Sequence, residues 1–204
     1  MKTVLVVGAT GLIGSHVVQA AQTRVRVLQA AYSQAPLRVD ITSTDSLRSL
    51  LARAGKVDAI ICTAGKARFA PWDSVRDEDW AHALANKLMG QINLVRFGAA
   101  SIRPGGAITL TTGTLAHQPM TGSTIIASVN AALEAFVRAA ALEIGNHVRI
   151  NAVSPGWLSE TLEALGMDPA DGLPASEAAK IYLRQIEQGE AGTIAIAAKT
   201  PRPH

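Results

Sequence analysis

Three glycines near the N-terminus, Gly8, Gly11 and Gly14, have the spacing of a turn that binds the pyrophosphate of a dinucleotide. Five strand-forming residues, Thr3–Val7, precede them, and an apolar helical pattern follows. In such a turn Gly8 allows the tight bend, Gly11 lets the backbone approach a phosphate, and Gly14 lets the helix pack on the strand. The N–H groups at the start of the helix then point at the phosphates. The alternative is a strand–turn–helix unit that needs glycine for geometry alone.

Strands and helices alternate along the chain and would hold this turn at the edge of a sheet. The alternation predicts an α/β fold with a single doubly wound parallel sheet of about seven strands and helices on both faces. We expect one domain over residues 1–204, because no linker, repeat or low-complexity segment interrupts the pattern. The predicted strands are Thr3–Val7, Val25–Gln29, Leu37–Asp40, Asp58–Cys62, Ala107–Thr112, Val148–Ala152 and Thr193–Ala197, and the predicted helices are Leu12–Gln22, Thr44–Ala54, Asp77–Ala100, Ser123–Gly145 and Ala175–Gln188.

Composition limits the classes of protein to which the chain can belong. Apolar residues make up 48% of the 204 residues, which is enough for a sizeable core. No apolar run approaches the roughly 18–20 residues of a membrane span, and the first apolar stretch lacks the pattern of a signal peptide. The net charge is +3, aromatic residues make up 4%, and the basic residues are scattered, so neither nucleic acid nor a membrane is an expected partner.

Cysteine usage bears on the compartment. Cys62 is the only cysteine and lies inside an apolar run, so it is expected to be a buried thiol that cannot form an intramolecular disulfide. This usage fits a cytoplasmic protein.

Two predicted helices, Asp77–Ala100 and Ser123–Gly145, are long and apolar at helical spacing. Alanines occupy further faces of the second helix, and a helix that is apolar beyond one stripe needs a second partner. We therefore expect a homodimer or a homotetramer, with Leu94, Leu133 and Val137 as candidate contacts. The alternative is an ordinary core helix in which alanine serves helix propensity.

The segment after the second predicted strand bears on the choice between NAD and NADP. Sites that prefer NAD usually carry an acidic residue there, which binds the ribose 2′-hydroxyl. The segment Gln29–Ser33 contains none. Tyr32 could stack on an adenine and Ser33 could bind a 2′-phosphate, so NADP is slightly preferred over NAD as the expected cofactor.

Five segments, in this order along the chain, resemble motifs of the short-chain dehydrogenase/reductase family. The first is the glycine turn, whose spacing is nearer to that of the extended and atypical branches of the family. The resemblance covers nearly the whole chain, and chance similarity would not place all five segments in order. The segments are Gly8–Gly14, Val39–Thr42, Cys62–Gly65, Ala127–Ile144 and Arg149–Trp157.

The resemblance implies a Rossmann fold, a nicotinamide cofactor and an oxidoreductase activity on a carbonyl/alcohol substrate. It also implies that Asp40 contacts the adenine, that the loop at Pro155 and Gly156 folds over the nicotinamide, and that two subunits pair through the two long helices. The expected cofactor-binding residues are Gly8, Thr10, Gly11, Leu12, Ile13, Gly14, Tyr32, Ser33, Asp40, Ile41, Ala64, Gly65, Pro155, Gly156, Trp157 and Leu158.

The active-site helix departs from the family pattern at its two catalytic positions. The family carries a Tyr that exchanges a proton with the substrate oxygen, and four residues later a Lys that lowers the pKa of the Tyr and binds the ribose. Ile126 and Asn130 occupy these positions here, and neither can act as an acid or a base. The family's catalytic Ser falls at about Thr112, with Thr111 and Gly113 as alternatives. Thr112 keeps a hydroxyl that could bind a carbonyl oxygen, or it is present for its β propensity.

Two further residues could handle a proton near this site. Lys87 aligns with a family Asn that supports a proton-relay water, with Asn86 as the alternative one residue away. A lysine there could return a cation to the site, or it could be an ordinary exposed helix lysine. His117 follows the fifth predicted strand, and histidine as a residue type titrates near neutral pH, although a lone loop histidine is more often incidental.

The sequence supports two functions of different classes. The first is an NAD(P)-dependent oxidoreductase of the short-chain type with a degenerate active site, in which Thr112 and Lys87 are the predicted catalytic residues. The second is a catalytically inactive nucleotide-binding sensor or scaffold protein of the same fold, which Ile126 and Asn130 favour. A sugar-nucleotide isomerase is a weaker third, because such relatives generally use the Tyr and Lys as well. No metal site is expected.

Overall fold

Seven parallel strands form the centre of the molecule in the computed structural model, which describes residues 1–199. They are β1 (Thr3–Val7), β2 (Arg26–Ala31), β3 (Leu37–Arg38), β4 (Val57–Cys62), β5 (Ile102–Thr111), β6 (Arg149–Pro155) and β7 (Ile194–Ala197). Their order in the sheet is β3-β2-β1-β4-β5-β6-β7. The chain therefore starts in the middle, builds to one edge and then builds the other, which confirms the predicted doubly wound fold. Residues 200–204 of the expected domain lie outside the described residues.

Helices cover both faces of the sheet. They are α1 (Leu12–Ala21), α2 (Thr44–Ala54), α3 (Asp77–Ala83), α4 (Gly90–Gly98), α5 (Thr124–Ile144), α6 (Ser159–Ala164) and α7 (Ala175–Gln188). Successive strand residues point to opposite faces, so Leu5 joins the core under α2, α4 and α5, whereas Val6 joins the core under α1 and α7. The segment between Pro155 and Pro174, in which no helix was predicted, contains α6.

The strand order reverses between β1 and β4, and the carboxyl ends of these strands open a crevice at that point. The pairing of β4 with β5 ends at Ile61 and Thr109, whereas β5 continues beside β6 as far as Thr111. The last residues of β5 therefore have a strand neighbour on one side only.

The predicted number of strands is confirmed, but several bounds shift because pairing decides where a strand ends. β6 continues to Pro155, since Ser154 and Pro155 pair with β7. An irregularity in the pairing with β4 lets β5 begin early. The predicted and observed bounds are Val25–Gln29 and Arg26–Ala31 for β2, Leu37–Asp40 and Leu37–Arg38 for β3, Ala107–Thr112 and Ile102–Thr111 for β5, and Val148–Ala152 and Arg149–Pro155 for β6.

The predicted helix Asp77–Ala100 is not one regular α-helix. A π-helical segment, Leu84–Met89, separates α3 from α4. A π turn holds more residues than an α turn, so it changes which side chains face the sheet, and such segments are frequent at functional sites. Lys87 is buried within this segment, whereas Leu84, which the predicted apolar spacing would place inward, is 43% exposed.

The long helix α5 is a core helix of this fold. Within the described residues it alone is long and apolar enough to cross a membrane by length and composition, and 44% of that window is buried inside the protein. Leu133 and Val137, and Leu94 of α4, are fully buried, so these three candidate interface contacts are core residues instead. The residues that α5 exposes to solvent include Ser128, Ala131, Ala135, Ala139 and Leu142.

Candidate functional site

A cleft of about 680 Å³ opens at the carboxyl ends of β1, β2 and β4. The turn after β1, the segments after β2 and β3, and the loop after β4 form its walls, and its volume is typical of a small-molecule site. More than half of the expected cofactor-binding residues line it, namely Gly8, Thr10, Gly11, Tyr32, Ser33, Asp40, Ile41, Ala64 and Gly65.

The three glycines of the turn have different surroundings. Gly8 has a φ of +89°, and a Cβ there would lie 2.6 Å from the backbone nitrogen of Ala64. A Cβ at Gly14 would collide with the carbonyl group of Gly8. At Gly11 a Cβ would meet only the Gly8 carbonyl oxygen, at 3.4 Å, so the side of Gly11 that faces the cleft is open.

The start of α1 gives this end of the cleft an affinity for anions. Gly11 is the N-cap residue, no side chain caps the helix, and its first turn holds no acidic residue. The N–H groups of Leu12, Ile13 and Gly14 have no partner inside the helix, and the helix dipole favours negative charge beside them. The open side of Gly11 and the uncapped helix end together fit the pyrophosphate of a dinucleotide.

A cation that the sequence did not single out lies beside Tyr32, which lines the cleft. Arg38 donates a hydrogen bond from its guanidinium group to the carbonyl oxygen of Tyr32, at 2.9 Å. Tyr32 is 75% exposed, and Ser33 is exposed beside it. Asp40 accepts bonds from the backbone nitrogen and the hydroxyl of Thr42, at 2.9 Å and 2.7 Å, so one oxygen of its carboxylate serves its own turn.

Four more of the expected cofactor residues, Pro155–Leu158, lie at the carboxyl end of β6, outside the walls of this cleft. The backbone nitrogen of Gly156 donates to the carbonyl oxygen of Ala197 at 2.9 Å. A Cβ at Gly156 would lie 3.5 Å from the hydroxyl oxygen of Thr114, so this loop adjoins the segment that follows β5.

Three side chains from neighbouring helices donate hydrogen bonds to three successive backbone carbonyl groups at the end of β5. The bonds run from Gln91 Nε2 to Thr111 O at 2.9 Å, from Lys87 Nζ to Thr112 O at 3.2 Å and from Asn130 Nδ2 to Gly113 O at 3.4 Å. Gln91 also accepts a bond from the backbone nitrogen of Thr111, at 2.9 Å. The Gln91 amide thus bonds Thr111 as a strand neighbour would, at the point where β4 no longer lies beside β5.

Lys87 is 7% exposed, so the expectation of an ordinary exposed helix lysine is wrong. The side chain passes beneath Gly65, where a Cβ would come within 3.0 Å of Lys87 Cγ. Because Gly65 lines the cleft, the Lys87 stem supports the cleft floor. Burial away from water lowers the pKa of the Lys87 ammonium to about 8. Asn86, the alternative at this position, lines the cleft and accepts a bond from the backbone nitrogen of Lys66 at 2.7 Å.

The Asn130 side chain packs so closely on Gly113 that residue 113 has no room for a side chain. Asn130 is 1% exposed, and a Cβ at Gly113 would come within 2.6 Å of Asn130 Nδ2. The side-chain oxygen of Asn130 is buried and has no hydrogen-bond partner within the protein. Ile126, one helical turn earlier, is half-buried and offers no polar group. Neither Ile126 nor Asn130 can therefore act as a general acid or base.

The hydroxyl of Thr112 is directed toward α5. It donates to Glu134 Oε1 at 3.2 Å and lies 3.4 Å from the carbonyl oxygen of Val153. Glu134 is 1% exposed, and its other oxygen lies 2.6 Å from Nε2 of His117 and 3.7 Å from the guanidinium of Arg138. His117 is exposed and engaged with this carboxylate, and neither Thr112 nor His117 lines the cleft.

The structure thus brings Lys87 and Asn130 together at the end of β5 and directs the Thr112 hydroxyl elsewhere. Sequence reasoning missed Arg38, Gln91 and Glu134 as functional positions. A signal for Glu134 was available, because it lies four residues after Asn130 and therefore on the same inward face of α5. Arg38 carried no such signal, since only the pairing of β3 with β2 places it beside Tyr32.

Known proteins are similar to this chain over nearly its whole length. The family model described as Enoyl-(Acyl carrier protein) reductase matches residues 8–198. The protein lin1944 from Listeria innocua is 32% identical with a TM-score of 0.89, and the match covers 96% of this chain and 99% of that one. A small-chain dehydrogenase solved in complex with NADPH is 26% identical with a TM-score of 0.85, and the match covers 96% of each chain.

Two curated relatives are oxidoreductases. The 2,3-dihydro-2,3-dihydroxybenzoate dehydrogenase of Escherichia coli (strain K12) is 34% identical over 127 residues, which are 56% of this chain and 51% of that protein. The hydroxynaphthalene reductase arp2 of Aspergillus fumigatus is 26% identical over 153 residues, which are 72% of this chain and 56% of that protein. The chain spans about half the length of these curated relatives.

We expect the substitution Lys87→Met to change how the free energy of unfolding depends on pH. The Lys87 pKa is about 8 in the folded state, against 10.5 for an ordinary lysine, so between these values the unfolded state binds more protons. Stability therefore rises with pH over this window, and the penalty for burying the ammonium is present in full below it. Urea unfolding at about pH 7 and about pH 9 should show wild type gaining about 1 kcal/mol relative to Lys87→Met.

The comparison with Lys87→Met isolates this group, because the other shifted groups are present in both proteins. Burial raises the pKa of Cys62 to about 12 and also raises the pKa of Tyr182, and both effects reduce stability at higher pH. The exposed Lys180, paired with Glu177, provides the control Lys180→Met, which should show no such pH dependence. A stability difference between wild type and Lys87→Met that stays constant with pH would contradict a buried ammonium.

Proposed function

We propose that this chain, which belongs to the short-chain dehydrogenase/reductase family, is an NADP(H)-dependent oxidoreductase that acts on a carbonyl/alcohol substrate. The observation that carries the proposal is the cleft at the glycine turn, where Gly11 is open and α1 is uncapped. The bound nicotinamide would supply or accept the hydride.

The glycine turn and the cleft walls would hold the nucleotide. The N–H groups of Leu12 and Ile13 would bind the pyrophosphate, and the absence of a side chain at Gly11 permits that approach. Asp40 and Ile41 line the wall of the cleft at which the resemblance places the adenine. Pro155, Gly156, Trp157 and Leu158 are proposed to close over the nicotinamide from the end of β6.

The preference for NADP rests on the charges at the end of β2. The guanidinium of Arg38 is exposed and held at the Tyr32 carbonyl, and the hydroxyl of Ser33 is exposed nearby. An arginine there suits a 2′-phosphate, whereas NAD sites usually offer a carboxylate. Asp40 is engaged with Thr42, which favours the same preference.

Lys87 is the residue that we propose to hold the proton for the substrate oxygen. Its ammonium uses one N–H bond on the Thr112 carbonyl and can offer others, and its pKa of about 8 suits exchange near neutral pH. Neither tyrosine of the chain is placed to donate this proton. Tyr32 lines the nucleotide end of the cleft, and the buried hydroxyl of Tyr182 is hydrogen-bonded to the hydroxyl of Thr111. Thr112 would act through its carbonyl group, since its hydroxyl would have to leave Glu134 to reach a substrate.

A nucleotide-binding sensor or scaffold of the same fold is the second candidate. The apolar Ile126 and the engaged hydroxyl of Thr112 favour it, because Ile126 offers no acid or base and the Thr112 hydroxyl is bonded to Glu134. Such a protein would bind the nucleotide and show no turnover.

We also propose a cytoplasmic homodimer or homotetramer that forms through α5. An exposed stripe on this helix, consisting of Ala131, Ala135, Ala139 and Leu142, supports the interface, and Leu142 is 85% exposed. Small side chains let a symmetry-related helix approach closely. The free buried thiol of Cys62 is consistent with a reducing compartment.

We expect the substitution Gly11→Val to abolish nucleotide binding, because a branched side chain would fill the space that the pyrophosphate needs. Titration of NADPH fluorescence should show saturable binding for wild type and a Kd raised at least about tenfold for Gly11→Val. Gly11→Ala is the matched control for size and should lie between the two. If wild type binds neither NADPH nor NADH at millimolar concentration, the proposed function fails.

We expect the substitution Arg38→Ala to weaken NADPH binding about tenfold and to leave NADH binding nearly unchanged, because one charge-assisted bond to the 2′-phosphate is lost. Arg26, exposed at the opposite end of β2, provides the control Arg26→Ala, which should alter neither Kd. Equal weakening of both nucleotides by Arg38→Ala would show that Arg38 does not read the 2′-phosphate.

We expect wild type to reduce generic aldehydes and ketones slowly, because the family's Tyr and Lys are absent. Loss of general acid help is typically worth about 10²–10⁴-fold, so Lys87→Met should lower kcat by about 10²-fold with an unchanged NADPH Kd. The kcat of wild type for reduction should fall as pH rises past about 8, since the donor must be protonated. An unchanged kcat in Lys87→Met would exclude this role, and nucleotide binding without any turnover would favour the sensor.

We expect light scattering coupled to size exclusion to give two or four times the 21.3 kDa mass of one chain. The substitution Ala135→Asp should shift the protein toward monomer, because it places an unpaired carboxylate in the interface. A wild-type monomer across micromolar concentrations would refute the interface on α5.

A further inference from the structure

Two of the eight aromatic residues of this chain meet outside the core. Phe69, in the loop after β4, and Trp157, in the loop after β6, lie edge to face with ring centroids 6.2 Å apart and planes at 68°. Phe69 is 46% exposed and Trp157 is half-buried. The geometry is that of a favourable aromatic pair, yet a large part of the apolar surface still faces solvent.

A third loop joins this pair. The backbone nitrogen of Ala70 donates to the carbonyl oxygen of Gly122, at 2.9 Å, in the loop after β5. Gly122 has a φ of +87° and lies so close to Phe69 that a Cβ would come within 3.0 Å of the ring. Met120, two residues earlier, is 47% exposed. We call the surface formed by Phe69, Met120 and Trp157 the aromatic wall.

The aromatic wall stands at the same edge of the sheet as the proposed reaction site. Trp157 directly follows Pro155 and Gly156, and its loop adjoins Thr114 in the segment after β5. That segment begins at Gly113, which Asn130 holds. The loops after β4, β5 and β6 therefore bring apolar side chains to the carboxyl edge of the sheet, where Lys87 holds its ammonium.

Two charged side chains near the wall in sequence are engaged elsewhere, whereas the exposed Lys66, three residues before Phe69, lines the cleft. Arg68 pairs with Asp79 at 2.8 Å, and His117 lies 2.6 Å from the buried Glu134. With these charges paired, the wall offers ring faces, ring edges and a thioether. Such a surface favours an uncharged planar ring over an anion.

We propose that the aromatic wall binds the ring of an uncharged aromatic carbonyl substrate and of its alcohol product. This assignment rests on the proposed oxidoreductase function, and it adds the substrate class. A ligand ring that covers the half-exposed Phe69 ring removes apolar surface from water. Because Phe69 and Trp157 meet edge to face, part of the Phe69 ring stays exposed for contact with a third ring.

Calorimetric titration of three probes tests the wall without turnover. 4-Phenyl-2-butanol should bind wild type at least about threefold more tightly than 4-cyclohexyl-2-butanol, which differs only in a saturated ring, because aromatic contacts add to simple burial. It should also bind more tightly than 3-phenylpropanoate, which carries the same ring and a charge. Phe69→Leu and Trp157→Leu should abolish the preference for the aromatic ring. The control Phe97→Leu should keep it, since Phe97 packs under Arg48 on the helices, 4.0 Å from guanidinium carbon to ring centroid.

The outcomes separate this proposal from the proposed function. Equal binding of the aromatic and saturated alcohols, tighter binding of the carboxylate, or an unchanged preference in both wall variants would overturn the aromatic wall even if NADPH binds normally. Failure of NADPH to bind would overturn the proposed function, while the alcohol titrations would still decide whether the wall accepts an aromatic ring. If both stand, the matching ketones should show the same preference in kcat/KM, and Phe69→Leu, whose residue has no proposed contact with the cofactor, should keep the wild-type NADPH Kd.

Discussion

The end of β5 extends past β4, and its backbone carbonyl groups need donors that no strand provides on that side. A buried carbonyl without a partner costs about 1–3 kcal/mol, so the helices packed above must present polar side chains inward. Gln91, Lys87 and Asn130 meet this demand at three successive residues. A lysine buried in this way keeps a hydrogen bond to a carbonyl, but its ammonium group loses the hydration that stabilises the charge. The structural requirement therefore produces the lowered pKa that makes Lys87 chemically interesting.

The surroundings of these donors follow from the space they need. Gly65 and Gly113 lie where a Cβ would press on the Lys87 stem and on the Asn130 amide, so both positions suit glycine. Lys87 lies within the π-helical segment Leu84–Met89 and faces the sheet together with Gln91. A local irregularity and small residues thus accompany the donors at the end of one strand.

The departures from the family pattern that the resemblance predicts lie at this place, whereas most of the residues predicted to bind the cofactor line the cleft. The resemblance aligns Lys87 with an Asn of the family and Asn130 with the family's Lys. In this chain the cation would therefore come from the segment before α4 and the amide from α5, the reverse of the family's arrangement. Both side chains reach carbonyl groups of adjacent residues, which explains how such an exchange preserves the end of β5. The resemblance assigns the position of the Tyr to Ile126, which offers no acid or base, and the proposed function therefore assigns proton supply to Lys87.

The sequence by itself determined the doubly wound sheet, the glycine turn and most of the cleft, because each depends on local patterns. Strand and helix periodicity fix the elements, and Gly8 and Gly14 fix a turn whose parts are neighbours in the chain. Only the tertiary structure decided that Lys87 is buried, that Arg38 stands beside Tyr32 and that the Thr112 hydroxyl turns to Glu134. These facts arise from the packing of the helices on β5 and from the pairing of β3 with β2. Each depends on contacts between elements, and the periodicity within one element does not record such contacts.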